Sequence, residues 1–280
     1  MFDADRPTPA AASNLVLRVC SAVVLAPLAV LAAYLGGLPF AAFWGAAAIA
    51  VLWEWTTLVA GRNHRMMFSA CGSALAVAAL VGWLGRPITA ILLIFLGAFA
   101  TAIFVPGAQR RWVTSGIGYA GVMLVAPMIL RADAKLGFVA MLLLFAIVWT
   151  TDIVGYFAGR AVGGAKLMPA ISPNKTWAGA IGGTAGAIVV AVVVAYGCGL
   201  ANLASVGVLA LFLSVMAQLG DLLESWVKRR FGAKDASHLI PGHGGVMDRL
   251  DGFWAAALAG TLIGLTRGGF DDAARGLLIW

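Results

Sequence analysis

"LVLRVCSAVVLAPLAVLAAYLG", Leu15 to Gly36, is apolar on all sides apart from Arg18, and "GAIVVAVVVAYGCG", Gly186 to Gly199, repeats the pattern without a charge. A strand of a membrane barrel alternates apolar with polar residues, so runs like these read as helices that meet lipid or other helices all round. The rest of the chain agrees. Of 280 residues 62% are hydrophobic and 11% are charged, and the mean hydropathy is +0.95. Many apolar runs reach the roughly 18 residues needed to cross a bilayer. The expectation is an all-α, polytopic transmembrane helical bundle of about nine spans, near 14–35, 40–60, 67–85, 88–106, 114–130, 137–159, 178–200, 203–224 and 251–267, the last of them short. Residues 14–267 are read as a single integral-membrane catalytic domain, between a polar N-terminal tail (1–13) and a C-terminal tail (268–280).

The opening "MFDADRPTPAAASN" lacks the basic n-region of a cleavable signal, so the first apolar stretch is expected to stay as a span, with Asn14 as its cap. Nine spans put Arg6, Arg62, Arg65, Arg110, Arg111, Arg160, Lys166, Lys175 and the Lys228 to Arg249 cluster on one side. The other side holds Arg86, Arg131, Lys135, Arg267 and Arg275. The positive-inside rule makes the first side cytoplasmic. The net charge of +7 is read mainly as topology and contact with anionic headgroups. No soluble basic domain carries it, so nucleic acid is not an expected partner. Cys20, Cys71 and Cys198 lie in apolar stretches without CxxC spacing and are expected as small buried hydrophobes.

Against this background the carboxylates are informative, because one inside a membrane span costs about 2.5–3.5 kcal/mol on insertion scales and needs a partner or a task. In "QLGDLLESWVKRR", Asp221, Glu224, Ser225 and Lys228 share one helix face, with Glu224 and Lys228 spaced for an ion pair. Asp221 has no such local partner. In "GHGGVMDRLDGFW", Asp248 and Asp251 are three apart, and Gly242, Gly244 and Gly245 permit close backbone approach to a ligand. Carboxylates beside phosphate oxygens suit a hard cation such as Mg²⁺, with a second cation also allowed. The absence of Cys or HExxH spacing speaks against zinc. Asp152, Tyr156 and Arg160 share another face. Ser172 and Pro173 read as a helix start whose free N–H groups would attract an anion, with Lys175 and Thr176 adding a charge and a hydroxyl. Lys228, Arg229, Lys234 and Arg249 can neutralise a polyphosphate, so the pattern points to phosphoryl or nucleotidyl transfer.

"SWVKRRFGAKDASHLIPGHGGVMDRLD", Ser225 to Asp251, resembles the signature of the phosphatidate cytidylyltransferase (CDP-diacylglycerol synthase) family. "SPNKTW" at Ser172 to Trp177, "TDIVGYFAGR" at Thr151 to Arg160, Gly220-Asp221 and "WEW" at Trp53 to Trp55 add to it. Ala178 and Asn174 depart from residues common in the family. The resemblance implies transfer of CMP from CTP to phosphatidic acid with Mg²⁺, in a bilayer, in the inner (plasma) membrane if the source is bacterial, and by a homodimer. It implies a metal set of Asp221, Asp248, Asp251 and Asp152, and catalytic roles for Asp221, Asp248, Lys228, Arg249 and His243. It also implies substrate contacts by Ser172, Lys175, Thr176, Arg229, Lys234, Asp235, Gly244 and Gly245. His243 reads equally as a turn histidine, and Glu54 as a buried, paired carboxylate. A CTP-dependent polyprenol kinase and, further off, a membrane transporter stay open as alternatives.

Overall fold

Lipid offers no water to pair with backbone N–H and C=O groups, so an apolar run must close its hydrogen bonds within itself. The computed structural model describes residues 9–60, 64–105, 107–240 and 244–280. The long helices are α1 (Pro9–Leu35), α2 (Gly37–Ala60), α3 (His64–Trp83), α4 (Pro87–Phe104), α5 (Arg110–Ala132), α6 (Gly137–Val162), α7 (Trp177–Gly197), α8 (Leu203–Arg230) and α9 (Met247–Gly268). Each falls on one expected apolar stretch. Six of them, α2 and α4 to α8, are long and apolar enough to cross a membrane. The protein is an integral membrane protein of the all-α class.

Several local expectations change. Helix α1 begins at Pro9, so Asn14 lies inside it and does not cap it. Helix α9 begins at Met247, before the apolar run starts at 251. Residues 268–280 include a short helix, α10 (Ala273–Leu278), whose Ala273, Ala274, Leu277 and Leu278 are buried. Cys71 is buried as expected, whereas Cys198, the residue that ends α7, is exposed.

Between α6 and α7 the chain forms an antiparallel hairpin, β1 (Lys166–Met168) with β2 (Ser172–Thr176). Ser172 and Pro173 therefore sit in a strand and do not open a helix. Helix α7 starts five residues later, with Thr176 as N-cap and its Oγ1 accepting from the Gly179 N–H at 3.1 Å. Ser-Pro and Thr-Trp are competing start signals, and Thr176 wins because its hydroxyl satisfies an otherwise orphan N–H. Pro173 is tolerated because a two-stranded ribbon consists only of edges.

Helices α6 and α7 pack through glycines spaced by four, Gly155 and Gly159 on one and Gly179 and Gly183 on the other. A Cβ on Gly183 would fall 2.5 Å from the Thr151 carbonyl oxygen, and one on Gly179 would fall 2.8 Å from that of Gly155. Small residues at this spacing let membrane helices approach backbone to backbone, where van der Waals packing substitutes for a hydrophobic driving force. Polar side chains then join α8 to the pair. Ser214 Oγ lies 2.8 Å from Thr151 Oγ1 and 3.0 Å from Thr184 Oγ1, and Gln218 donates to Thr184 Oγ1 at 2.9 Å. Helix α9 is held on its other flank by stacked rings, Trp44 on Phe253 and Tyr119 on Trp254, and by Trp254 Nε1–H donating to the Tyr119 carbonyl at 2.9 Å. These contacts fix the ends of α6, α7, α8 and α9 around one space.

Candidate functional site

That space is a cavity of about 690 Å³ at one end of the bundle, lined by the C-terminal parts of α6 and α8, the hairpin, and the first turns of α7 and α9. It brings together Asp152, Lys175, Thr176, Asp221, Lys228, Asp235, Asp248, Arg249 and Asp251 from the sequence expectation. Ser172, Arg229, Lys234, Gly244 and Gly245 do not line it. Arg229 follows Lys228 by one residue, roughly 100° round the helix, and turns away. Its guanidinium donates to the Ala233 carbonyl at 3.1 Å. His243 and Gly242 lie outside the described residues.

Four of the ten charged side chains that line the cavity are matched by distant partners. Lys175 pairs with Asp221, joining the hairpin to α8, and Ser225 Oγ lies 3.4 Å from the other Asp221 oxygen. Lys228 sits between two acids. Its Nζ is 2.7 Å from Glu224 Oε2 and also pairs with Asp248 Oδ1. The i, i+4 pair expected from spacing is present, but its contact with Glu224 lacks hydrogen-bond geometry, and both Glu224 oxygens are otherwise unpartnered. The second Asp248 oxygen accepts the N–H groups of Ala236 (2.9 Å) and Gly245 (2.8 Å). Asp248 is thus a clasp between α8 and the loop before α9 as well as a cavity wall.

Glu54 is buried and paired, as expected, and its role is a cap. Its carboxylate accepts the N–H groups of Val246 (2.8 Å) and Met247 (2.7 Å) and the hydroxyl of Ser237 (2.6 Å). An anion at a helix N-terminus meets both free donors and the positive dipole end. The approach is so close that a Cβ on Gly245 would lie 2.6 Å from Glu54 Oε1. Glu54 thereby fixes the start of α9, and with it the placement of Asp248, Arg249 and Asp251.

Asp152, Asp221 and Asp251 come from three helices and repel one another across the cavity. Among the described residues no three Asp, Glu, His or Cys side chains are placed to hold a metal ion together. An open set of hard oxygens fits Mg²⁺, which takes one or two carboxylates and fills its remaining positions with substrate phosphates and water. The amide of Gln218, one turn before Asp221, also faces the cavity and went unread in the sequence, although an amide in a run as apolar as "LALFLSVMAQLG" was a usable signal. Arg160 and Lys166 line it too.

The fold and site define an integral membrane protein with a mixed-charge polar cavity at one end of its helices. The model of the Cytidylyltransferase family matches residues 16–264, and the chain belongs to that family. It is 44% identical over 257 residues to "Phosphatidate cytidylyltransferase" of Brucella abortus biovar 1 (strain 9-941), covering 88% of this chain and 91% of the relative. The protein of that name from Rickettsia conorii is 31% identical over 246 residues, 85% of this chain and 86% of its own length. The one from Bacillus subtilis (strain 168) is 45% identical over 112 residues, 38% of this chain and 40% of its own length.

Proposed function

We propose that the protein is a phosphatidate cytidylyltransferase, moving CMP from CTP to phosphatidic acid to give CDP-diacylglycerol and pyrophosphate with Mg²⁺. The observation that carries this reading is the convergence of Asp152, Asp221 and Asp251 with Lys175, Lys228 and Arg249 in one cavity at the bundle's end, in a chain of the Cytidylyltransferase family. The basic side chains that share the cavity's side, read by the positive-inside rule, favour a cytoplasmic opening.

In this reading a phosphate oxygen of phosphatidate attacks the α-phosphorus of CTP, and the bond to the pyrophosphate bridging oxygen breaks. A phosphate monoester has its second pKa near about 6, so it arrives as a competent anion without a strong general base. Asp221 with Asp251 would hold Mg²⁺ through one or two carboxylates, with Asp152 facing them across the cavity, and Asp248, bound by Lys228 and two backbone N–H groups, supports the site from the loop side. Bound there, the ion would polarise the phosphoryl oxygens and neutralise charge on the leaving group. Lys175 and Asp221 carry the charges needed to grip a polyphosphate and its metal side by side, so substrate entry exchanges their mutual pair for two new ones. Arg249 adds a cation at the first turn of α9. Lys228, held between Glu224 and Asp248, keeps two buried carboxylates compatible with each other and offers its remaining donor to the cavity. Positioning and charge stabilisation of this kind are the main demands of phosphoryl-group chemistry.

Purified protein incubated with α-³²P-CTP, phosphatidic acid and Mg²⁺ should place the label in a CDP-lipid, and chelation of the metal should stop it. In a parallel reaction with γ-³²P-CTP, label passing to a lipid acceptor while the α-label stays in the nucleotide would refute the reading.

A further inference from the structure

The cations of the cavity fall into two groups. Lys175 and Lys228 are paired with carboxylates, and Arg249, which makes no ion pair among the described residues, stands next to Asp248 at the start of α9. Arg160 and Lys166 line the same cavity but have no carboxylate partner among the described residues. Arg160, in the last turn of α6, donates from Nη1 to Tyr156 Oη at 2.9 Å, and Lys166 opens β1. Both are exposed, and they flank Gly163 and Gly164, whose φ angles of 67° and 88° turn the chain from helix into hairpin without a side chain in the way. The surface running down from this rim is apolar and open to the surroundings. Ile153, Phe157 and Val162 on α6, and Trp177 and Ile181 on α7, are each more than half exposed.

We propose that Arg160 and Lys166 form the subsite for the phosphate monoester of the diacyl substrate, leaving the carboxylate-paired cations to the nucleotide. The inference rests on the function proposed above and assigns its two phosphorylated substrates to different walls of one cavity. A lipid phosphate is tethered to chains that must stay in hydrocarbon, so it can reach the cavity only where cations border an exposed apolar face. CTP has no such tether, and its metal-bearing triphosphate is drawn to the side where carboxylates repel one another. A monoester carries about −1.5 to −2 charge near neutral pH, which two unpaired cations balance. The guanidinium fork matches two of its oxygens, and the hydroxyl of Tyr156, which also lines the cavity, accepts from Arg160 Nη1 and orients it.

The test uses full-length protein in mixed micelles, with the mole fraction of phosphatidic acid and the CTP concentration varied separately. Arg160→Gln and Lys166→Gln should each raise KM for phosphatidic acid about tenfold, the loss expected for one charge-assisted hydrogen bond, while KM for CTP stays within about twofold. Arg111→Gln, an exposed cation away from the cavity, should change neither constant. A rise in KM for CTP instead, unchanged constants in both variants, or an equal effect from Arg111→Gln overturns the subsite. Should Arg160→Gln not be recovered folded, Lys166→Gln on the exposed hairpin gives the same readout. Wild-type protein that makes no CDP-lipid overturns the function and the subsite together. Wild-type activity without the split in KM overturns the subsite alone.

Discussion

The two ends of the bundle use the same residue types for different purposes. At the end away from the cavity, Arg131 on α5 donates to the carbonyls of Ala33 and Tyr34, the latter at 3.1 Å, and so closes the C-terminus of α1. Arg267 on α9 donates to the carbonyls of Gly276 (2.6 Å) and Ile279 (3.0 Å) and lies 3.7 Å from the centroid of the Trp280 ring. These guanidinium groups satisfy helix-end carbonyls that have no intrahelical partner. At the cavity end Lys175 and Lys228 face carboxylates, and Asp152 and Asp251 line the same cavity without an ion pair among the described residues. A cation spent on backbone carbonyls finishes a fold, whereas one set among surplus acids leaves charge for a ligand to complete.

The comparison predicts a graded set of losses. Asp221→Asn should reduce CDP-lipid formation by about a hundredfold or more, the scale of losing a main electrostatic contact to the transition state. It should leave a folded protein, since the Asp221 side chain is 24% exposed; activity near wild type in a label-transfer assay would break the contrast between the ends. Glu54→Gln acts at the same end but through α9. It should lower both thermal stability, by about 1–2 kcal/mol for a damaged helix cap, and turnover, by about tenfold, measured by melting in detergent and by kcat. A stability loss with unchanged kcat would reduce Glu54 to a structural role. Arg267→Gln and Arg131→Gln should each cost about 1 kcal/mol of stability through unsatisfied carbonyls, with kcat and both KM values of the folded fraction unchanged. A kinetic effect from either would erase the distinction between the two ends.

Much of the site was legible because polar groups stand out on an apolar background. Insertion cost draws attention to the acids in and beside the spans, helical spacing and the family resemblance narrow them to Asp152, Asp221, Asp248 and Asp251, and all four line the cavity. The Glu224 and Lys228 contact followed from helical spacing. Ser172 misleads because a Ser-Pro start competes with the Thr176 cap four residues on. Arg229 and Lys234 were grouped with Lys228 by proximity in sequence, and the helical rotation from Lys228 to Arg229 shows why nearness along the chain is a poor guide to facing. The glycine pairs Gly155/Gly159 and Gly179/Gly183 were readable as close-packing motifs, yet their partner helix was not.

From its residues alone the chain was bound to be a helical membrane protein, because lipid demands internally paired backbone and only long apolar helices supply that here. The same local reasoning placed its charges at helix ends. Tertiary structure decided who meets whom: Lys175 with Asp221 across 46 residues, Glu54 with the start of α9 across 192 and 193, and Lys228 between acids from two elements. Hydropathy and helical spacing act over one helix, whereas these pairings depend on which helices touch and in what rotation. That is set by glycine seams, stacked rings and caps acting together.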